Sequence, residues 1–312
     1  MRPATDIIHG STGANHDADP LATPIYETTT FVFESAAEVK AFNEGTSRKF
    51  LYSRYGNPTT AAVEQTIARV EGAESAMLLS SGMAATSTAL LALLASGDEV
   101  VCSAAIYGGT LHLLADLFPR YGIRARFVTL DELREPERVI GDTTKVLWFE
   151  SPINPTLRCV DISAVATACR ARGVISIIDG TFASPFNQQP LAMGVDIVMH
   201  SVTKYLNGHS DVTAGSLAGP ERLLKSIDKT RRLLGGIVDP QAAYAIGRGI
   251  KTLSVRMERH NANGMTVARW LETQKGGRVQ DVFYPGLESH PDHALAQRQM
   301  SGFGGMVCVD VG

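Results

Sequence analysis

The sequence predicts an α/β fold: a mostly parallel central sheet covered by helices, followed by a smaller α+β unit. Three observations carry this. Between residues 61 and 239, short apolar runs alternate with stretches of helical periodicity, the pattern of parallel strands buried on both faces. Several of those runs are followed at once by a carboxylate, a lysine flanked by hydroxyls, or a glycine-bearing turn. Beyond about Gly219 the rhythm changes to long helical stretches and then two strand-like runs.

The first sixty residues read as irregular. Gly, Thr, Ser, Pro and Asn recur with no sustained period, and so long a segment without regular structure is usually functional or docked on something else. A helix is expected from Asn57-Pro58-Thr59, with Val63, Ile67 and Val70 on one face and Gly72 ending it. Strands follow over 76–79, 99–102, 125–130, 145–149, 174–178, 196–199 and 214–218, with helices over 83–95, 111–121 and 162–172. Residues 221–234 and 251–271 read as helices, and the tail as two strands of a second unit. The expected organisation is an irregular segment over 1–60, a large domain over 61–239, and a linker helix with the start of a small domain over 240–312. A soft boundary falls at Asp239-Pro240.

Composition narrows the classes. With 44% apolar and 20% charged residues the chain is not of the disordered class. Twenty-nine basic against 32 acidic residues, without a block of like charge, argue against nucleic acid or a membrane surface as partner. Apolar runs such as 88–95 fall well short of the roughly 20 residues of a membrane helix, and the opening residues lack a signal-peptide core. Cys102, Cys159, Cys169 and Cys308 form no C-x-x-C pair and read as reduced thiols of a cytoplasmic protein.

Ligands of open α/β sheets bind outside the carboxyl ends of the strands. There the sequence places Asp179-Gly180-Thr181, His200-Ser201-Val202-Thr203-Lys204, and Ser80-Ser81-Gly82-Met83 leading into a helix. Read one at a time, these are a turn-forming Asp, a surface lysine and a helix cap. Together they match what pyridoxal 5′-phosphate (PLP) requires: a lysine to condense with its aldehyde, a carboxylate to hold the pyridine nitrogen protonated, and amides and hydroxyls for its phosphate. Tyr107, on the same rim, can stack on the ring. Competing templates are absent: no nucleotide-phosphate loop, no G-x-G-x-x-G after a strand and no G-x-S-x-G occur. His290-Pro291-Asp292-His293 reads as a polar loop, and no metal is expected.

From about Pro24 onward the chain resembles the PLP-dependent enzymes of cysteine and methionine metabolism. The resemblance rests on YSRYGNPT at 52–59, SSGMAA at 80–85, YGGT at 107–110, ESPINPT at 150–156, DIVMHSVTKY at 196–205, GHSD at 208–211 and RGIKTL at 248–253. It implies the aminotransferase-like (fold type I) architecture and PLP as cofactor. It also implies γ-replacement or γ-elimination on homoserine-derived or cystathionine-type amino acids in transsulfuration. Cystathionine γ-synthase or γ-lyase chemistry leads, with acyl-homoserine sulfhydrylase or methionine γ-lyase as alternatives.

The same resemblance assigns roles. Lys204 carries the cofactor and moves protons. Asp179 pairs with the pyridine nitrogen, with Thr181 nearby. Ser81, Gly82, Met83, Ser201 and Thr203 hold the phosphate, Tyr107 stacks and acts as acid–base, and Asn154 meets the substrate. Tyr52 and Arg54 reach the phosphate of a neighbouring subunit in a tetramer built as a dimer of dimers. Three positions depart from the family's usual pattern: Gly180 in place of Asn, Ile153 in place of a hydroxyl residue, and Gly109 where methionine γ-lyases usually carry Cys. Family members also continue beyond the GFGGM strand at 302–306 into a segment with a carboxylate-binding arginine, which neither Arg278 nor Arg298 matches. A small domain cut short, and a catalytically impaired PLP-binding remnant as the other functional class, are therefore expected possibilities.

Overall fold

The structure is a computed structural model that describes residues 20–312. Residues 1–19 of the segment expected to be irregular lie outside the described residues, and the remainder is not wholly irregular. Ala36–Asn43 forms a helix, α1, capped by the Ser35 hydroxyl, which accepts the Glu38 N–H. None of its residues is buried, so it lacks the apolar stripe by which a helix declares itself in sequence.

The second helix, α2 (Pro58–Glu71), starts where the capping signal put it. Asn57 Oδ1 accepts the Thr59 N–H at 2.9 Å, and Gly72, at φ 65°, ends the helix. The same Asn57 amide donates to the Tyr26 carbonyl at 2.9 Å and to Ser53 Oγ at 3.2 Å. It thereby ties the preceding irregular segment to the helix.

Seven strands follow: β1 (Ser75–Leu79), β2 (Glu99–Ser103), β3 (Arg124–Val128), β4 (Thr144–Glu150), β5 (Ile175–Asp179), β6 (Ile197–Ser201) and β7 (Gly215–Gly219). They form one sheet in the order β1-β7-β6-β5-β4-β2-β3. The β2–β3, β2–β4, β4–β5 and β5–β6 pairs are parallel, whereas β7 is antiparallel to both β6 and β1. The cause is the connection. Residues 202–214 link β6 to β7 without a helix, and a chain without a crossover helix returns antiparallel.

Helices α3 (Gly82–Leu93), α4 (Ile162–Ala171), α5 (Glu221–Leu234) and α6 (Pro240–Ile250) cover the sheet. Alternate residues of one strand feed opposite cores. Trp148 and Ile177 pack with Leu90 and Ile227 on one side; Phe149 and Ile178 pack with Ile162 and Val165 on the other. A third core joins Val63 and Ile67 of α2 to Ala243, Ile246 and Ile250 of α6. It runs across Asp239-Pro240, where the soft boundary was expected, because Pro240 opens a helix whose apolar face is already docked on the large domain.

Residues 111–121, expected as one α-helix, change type along their length. Gly108–His112 is α-helical, Leu113–Leu117 a π turn and Phe118–Tyr121 a 3₁₀ turn; Pro119 lacks the N–H that a regular ladder needs there. The smaller unit comprises α7 (Leu253–Glu272), β8 (Asp281–Phe283), α8 (His293–Gln299) and β9 (Cys308–Asp310). β8 and β9 pair antiparallel over a core of Ala268, Val282, Tyr284 and Leu287. Among the described residues no helix is long and apolar enough to cross a membrane.

Asn57 stitches two parts of the fold, whereas Ser35 caps a helix with no buried residue. Asn57→Ala is expected to lower the unfolding free energy by about 1–2 kcal/mol, and Ser35→Ala by less than half of that. Urea unfolding of the two variants measures this; equal losses would contradict it.

Candidate active site

Three strand ends and one helix start meet at a cavity of about 1110 Å³. β5 ends in Asp179, β6 ends in Ser201 and leads to Thr203 and Lys204, and β1 leads through Ser81 into α3. Ten of the twelve residues expected at the site line this cavity: Ser81, Gly82 and Met83; Tyr107 and Asn154; Asp179 and Thr181; Ser201, Thr203 and Lys204. Tyr52 and Arg54 do not line it. The Arg54 guanidinium lies over the rings of Tyr55 (4.9 Å) and Tyr52 (5.5 Å) and donates to the Arg232 carbonyl. Tyr52 itself is exposed.

The loop carrying Lys204 is held by its own backbone. The Lys204 N–H donates to the Ser201 carbonyl at 3.1 Å, and Gly208, at φ 74°, donates to the Lys204 carbonyl at 2.8 Å. The Thr203 hydroxyl accepts the Ala214 N–H at 3.0 Å and donates to the Ala214 carbonyl at 3.2 Å. Four such bonds fix a loop that has no regular structure.

Ser81 Oγ caps α3 by accepting the Ala84 N–H at 3.0 Å, which leaves the Gly82 and Met83 amides without intrahelical partners. These amides and the positive end of the helix favour an anion. The cradle is tight: a Cβ on Gly82 would lie 3.2 Å from Ser201 Cβ, and one on Gly215 would lie 2.2 Å from the Ser81 carbonyl oxygen. Only glycine lets β7 approach the helix start this closely.

Asp179 is 9% exposed. Burial pushes its carboxyl up, opposed by hydrogen bonds from the Thr181 hydroxyl and N–H (3.0 Å to the latter) and by His200. The Thr181 hydroxyl oxygen also accepts the Ser201 N–H at 2.8 Å, binding the two strand ends together. His200, buried, pairs with buried Glu71 behind the site. A Cβ on Gly180 would lie 2.9 Å from His200 Cε1, so glycine is the residue that lets this histidine stay.

Sequence reasoning missed Glu150, although it follows the apolar run of β4 and so meets the same strand-end criterion. It also missed Tyr205, Arg256, His260 and Met306, which line the cavity from the far side. Arg256, His260 and Met306 carry no strand-end signal, because α7 and the 302–306 segment arrive by tertiary packing, whereas Tyr205 directly follows Lys204. The His260 ring lies 5.1 Å from that of Tyr205, whose hydroxyl accepts the Gly305 N–H at 3.1 Å. The Arg256 guanidinium is engaged by the carbonyls of Tyr205 (2.7 Å) and Gly249 (3.0 Å).

Residues 290–292 form a turn and His293 opens α8. Asp292 accepts from Arg158 and from the Cys159 N–H, and His293 Nδ1 faces the Pro285 carbonyl at 2.8 Å. Among the described residues no group of His, Cys, Asp or Glu is placed to hold a metal.

The donor set fits pyridoxal phosphate. The cavity offers amides and hydroxyls beside a glycine cradle for a phosphate, a buried carboxylate in want of a cationic partner, and one primary amine. Comparison with known proteins agrees. Residues 4–312 match the family of Cys/Met metabolism PLP-dependent enzymes. The chain is 42% identical over 294 residues to cystathionine gamma-synthase 1, chloroplastic, of Nicotiana tabacum, covering 94% of this chain and 54% of that protein. It is 39% identical over 308 residues to the cystathionine beta-lyase of Lactococcus lactis subsp. cremoris (strain MG1363), covering 98% and 78%. The chain thus spans about half the length of the plant relative and more than three quarters of the bacterial one. The crystal structure of metB from Corynebacterium glutamicum superposes with a TM-score of 0.93 at 37% identity, over 100% of this chain and 79% of that one. The chain belongs to the Cys/Met metabolism PLP-dependent enzyme family.

Proposed function

We propose that this protein binds pyridoxal phosphate and uses it for γ-replacement or γ-elimination on homoserine-derived or cystathionine-type amino acids, as a cystathionine γ-synthase or γ-lyase does. The observation that carries the reading is the convergence of Lys204, Asp179 and the start of α3 on one cavity in a chain of this family. When bound, the cofactor supplies an electron-withdrawing ring that stabilises negative charge at the substrate Cα and then Cβ, so that a γ-substituent can leave.

The residues divide the remaining work. Lys204, on its braced loop, is the one amine lining the cavity that would hold the cofactor, and its Nζ would carry protons between the substrate carbons. Asp179 holds the ring nitrogen protonated. The Gly82 and Met83 amides, with Ser81, Ser201 and Thr203, hold the phosphate. Tyr107, 50% exposed at the cavity edge, covers the ring face and exchanges a proton near the leaving group. Asn154, in the turn after β4, meets the substrate.

Gly109 bears on the choice of substrate. A Cβ there would lie 2.5 Å from Tyr107 Cε1 and 2.9 Å from Met83 Sδ, so glycine lets the tyrosine lie as it does. By the family resemblance, in which methionine γ-lyases usually carry Cys at this position, glycine here favours cystathionine-type substrates or acyl-homoserines over methionine. Tyr52 and Arg54, outside the cavity of their own chain, are proposed to reach the phosphate of a neighbouring copy in a dimer of dimers; Arg suits that role through its forked donors. The free cysteines, three of them buried, support the cytoplasm as location.

One observation favours a second reading. Arg256, the arginine that lines the cavity, has its guanidinium engaged by carbonyls and offers no open fork to a substrate carboxylate. A PLP-binding protein with impaired turnover follows from that. Assays with cystathionine, O-succinylhomoserine plus cysteine, O-acetylhomoserine plus sulfide, and methionine separate the readings: turnover of any of the first three at the rate of a curated cystathionine gamma-synthase or beta-lyase excludes the impaired form.

Two outcomes are expected for the cofactor. Borohydride treatment of the PLP-loaded protein, followed by peptide mass mapping, puts the phosphopyridoxyl group on Lys204; labelling of another lysine, or of none, would sink the assignment. Gly215→Ala drives a Cβ into the Ser81 carbonyl and shifts the phosphate cradle. It is expected to weaken PLP binding at least about tenfold, or ~1.4 kcal/mol, in a fluorescence titration; unchanged affinity would contradict the cradle.

A further inference from the structure

Glu150 closes β4 as Asp179 closes β5, and the parallel register sets the two directly beside each other. Both line the cavity, and Glu150 is only 4% exposed. Neighbouring strands lie about 4.8 Å apart, and registered partners face the same side of a sheet. Two carboxylates so placed in a buried site resist ionising together, and one retains its proton.

Their surroundings decide which. Asp179 accepts from the Thr181 hydroxyl and N–H, and His200, itself paired with Glu71, favours its charge. Glu150 accepts the Tyr107 N–H at 2.5 Å and the Asn154 N–H. Burial first, and Asp179 second, push its carboxyl up to about 8. The other titratable groups facing the pair come from β2 and from the loop after β6. Burial, and then Glu150, raise the Cys102 thiol on β2, and Lys204 lines the same cavity.

We infer that Glu150 is the protonated member of a carboxylate pair with Asp179 and is the positioning residue that holds Tyr107 in place through the tyrosine's backbone N–H. The arrangement leaves the cavity one buried negative charge, on Asp179, where a cationic ring nitrogen belongs. It also gives Glu150 an acceptor oxygen for Tyr107 that adds no second charge. Deprotonation adds that second charge to a site meant for a phosphate. Glu150→Gln keeps the acceptor oxygen and the size, and removes the titration. Glu150→Ala removes both acceptor and titration.

The proton inventory belongs to the ligand-free protein and is independent of the proposed function; the Tyr107 part rests on it. Carbon-13 carboxyl NMR of the ligand-free protein is therefore the first measurement. A carboxyl titrating near pH 8 in the wild type and missing in Glu150→Gln is expected. Its absence from the wild type, or its persistence in the variant, would overturn the pair. PLP affinity from pH 6.5 to 9.5 is the second. The wild type is expected to weaken about tenfold over the range, a change of one pKa unit in linkage, and Glu150→Gln to stay flat. Glu150→Ala is expected to bind weakly throughout, with altered Tyr107 fluorescence against a Tyr107→Phe control. Affinities with one common pH dependence in all three proteins would overturn the positioning role. No binding by any of them would overturn the proposed function instead, with the NMR titration still deciding the pair.

Discussion

A carboxylate buried at the carboxyl end of the sheet's central strand governs this molecule. Taking the charge of Asp179 out of water costs several kcal/mol unless partners compensate it. Within the chain the compensation is partial: two hydrogen bonds from Thr181 and the field of His200. On its cavity side Asp179 is proposed to take the cationic ring nitrogen of the cofactor. The glycine cradle at the start of α3, the braced lysine loop and the Tyr107 turn border the same cavity.

Topology explains how so many groups converge. Parallel strands end together on one rim, so Glu150 and Asp179 arrive side by side, and Ser201 follows two residues beyond Met199, the register partner of Asp179. The one departure from parallel pairing, the return of β7, makes room for a helix-free loop after β6, and that loop carries Lys204. Gly215 on β7 then presses against the start of α3. The antiparallel strand that follows the lysine loop thus shapes the start of α3, where the phosphate is proposed to bind.

Much of this was legible in the sequence, because buried strands announce themselves as apolar runs and site residues follow them. Asp179, Lys204, the Ser81–Met83 turn and Tyr107 were singled out by that rule, and the family resemblance added Asn154. Glu150 met the same rule, directly after the run at 145–149, but its significance depends on the register with Asp179, which a linear pattern does not contain. Helix α1 escaped because it buries nothing, and the π and 3₁₀ turns at 113–121 because helical periodicity does not distinguish ladder types. Tyr205, Arg256 and His260 come together only when α7 folds back over the cavity, a long-range event without local signature.

The account stands or falls on where the cofactor sits. A crystal structure of the chain grown with pyridoxal phosphate tests it most directly. The account predicts the ring nitrogen against the Asp179 carboxylate, the phosphate on the Gly82 and Met83 amides, and continuous density to Lys204 Nζ. A cofactor bound elsewhere, or one whose ring nitrogen faces away from Asp179, would contradict it.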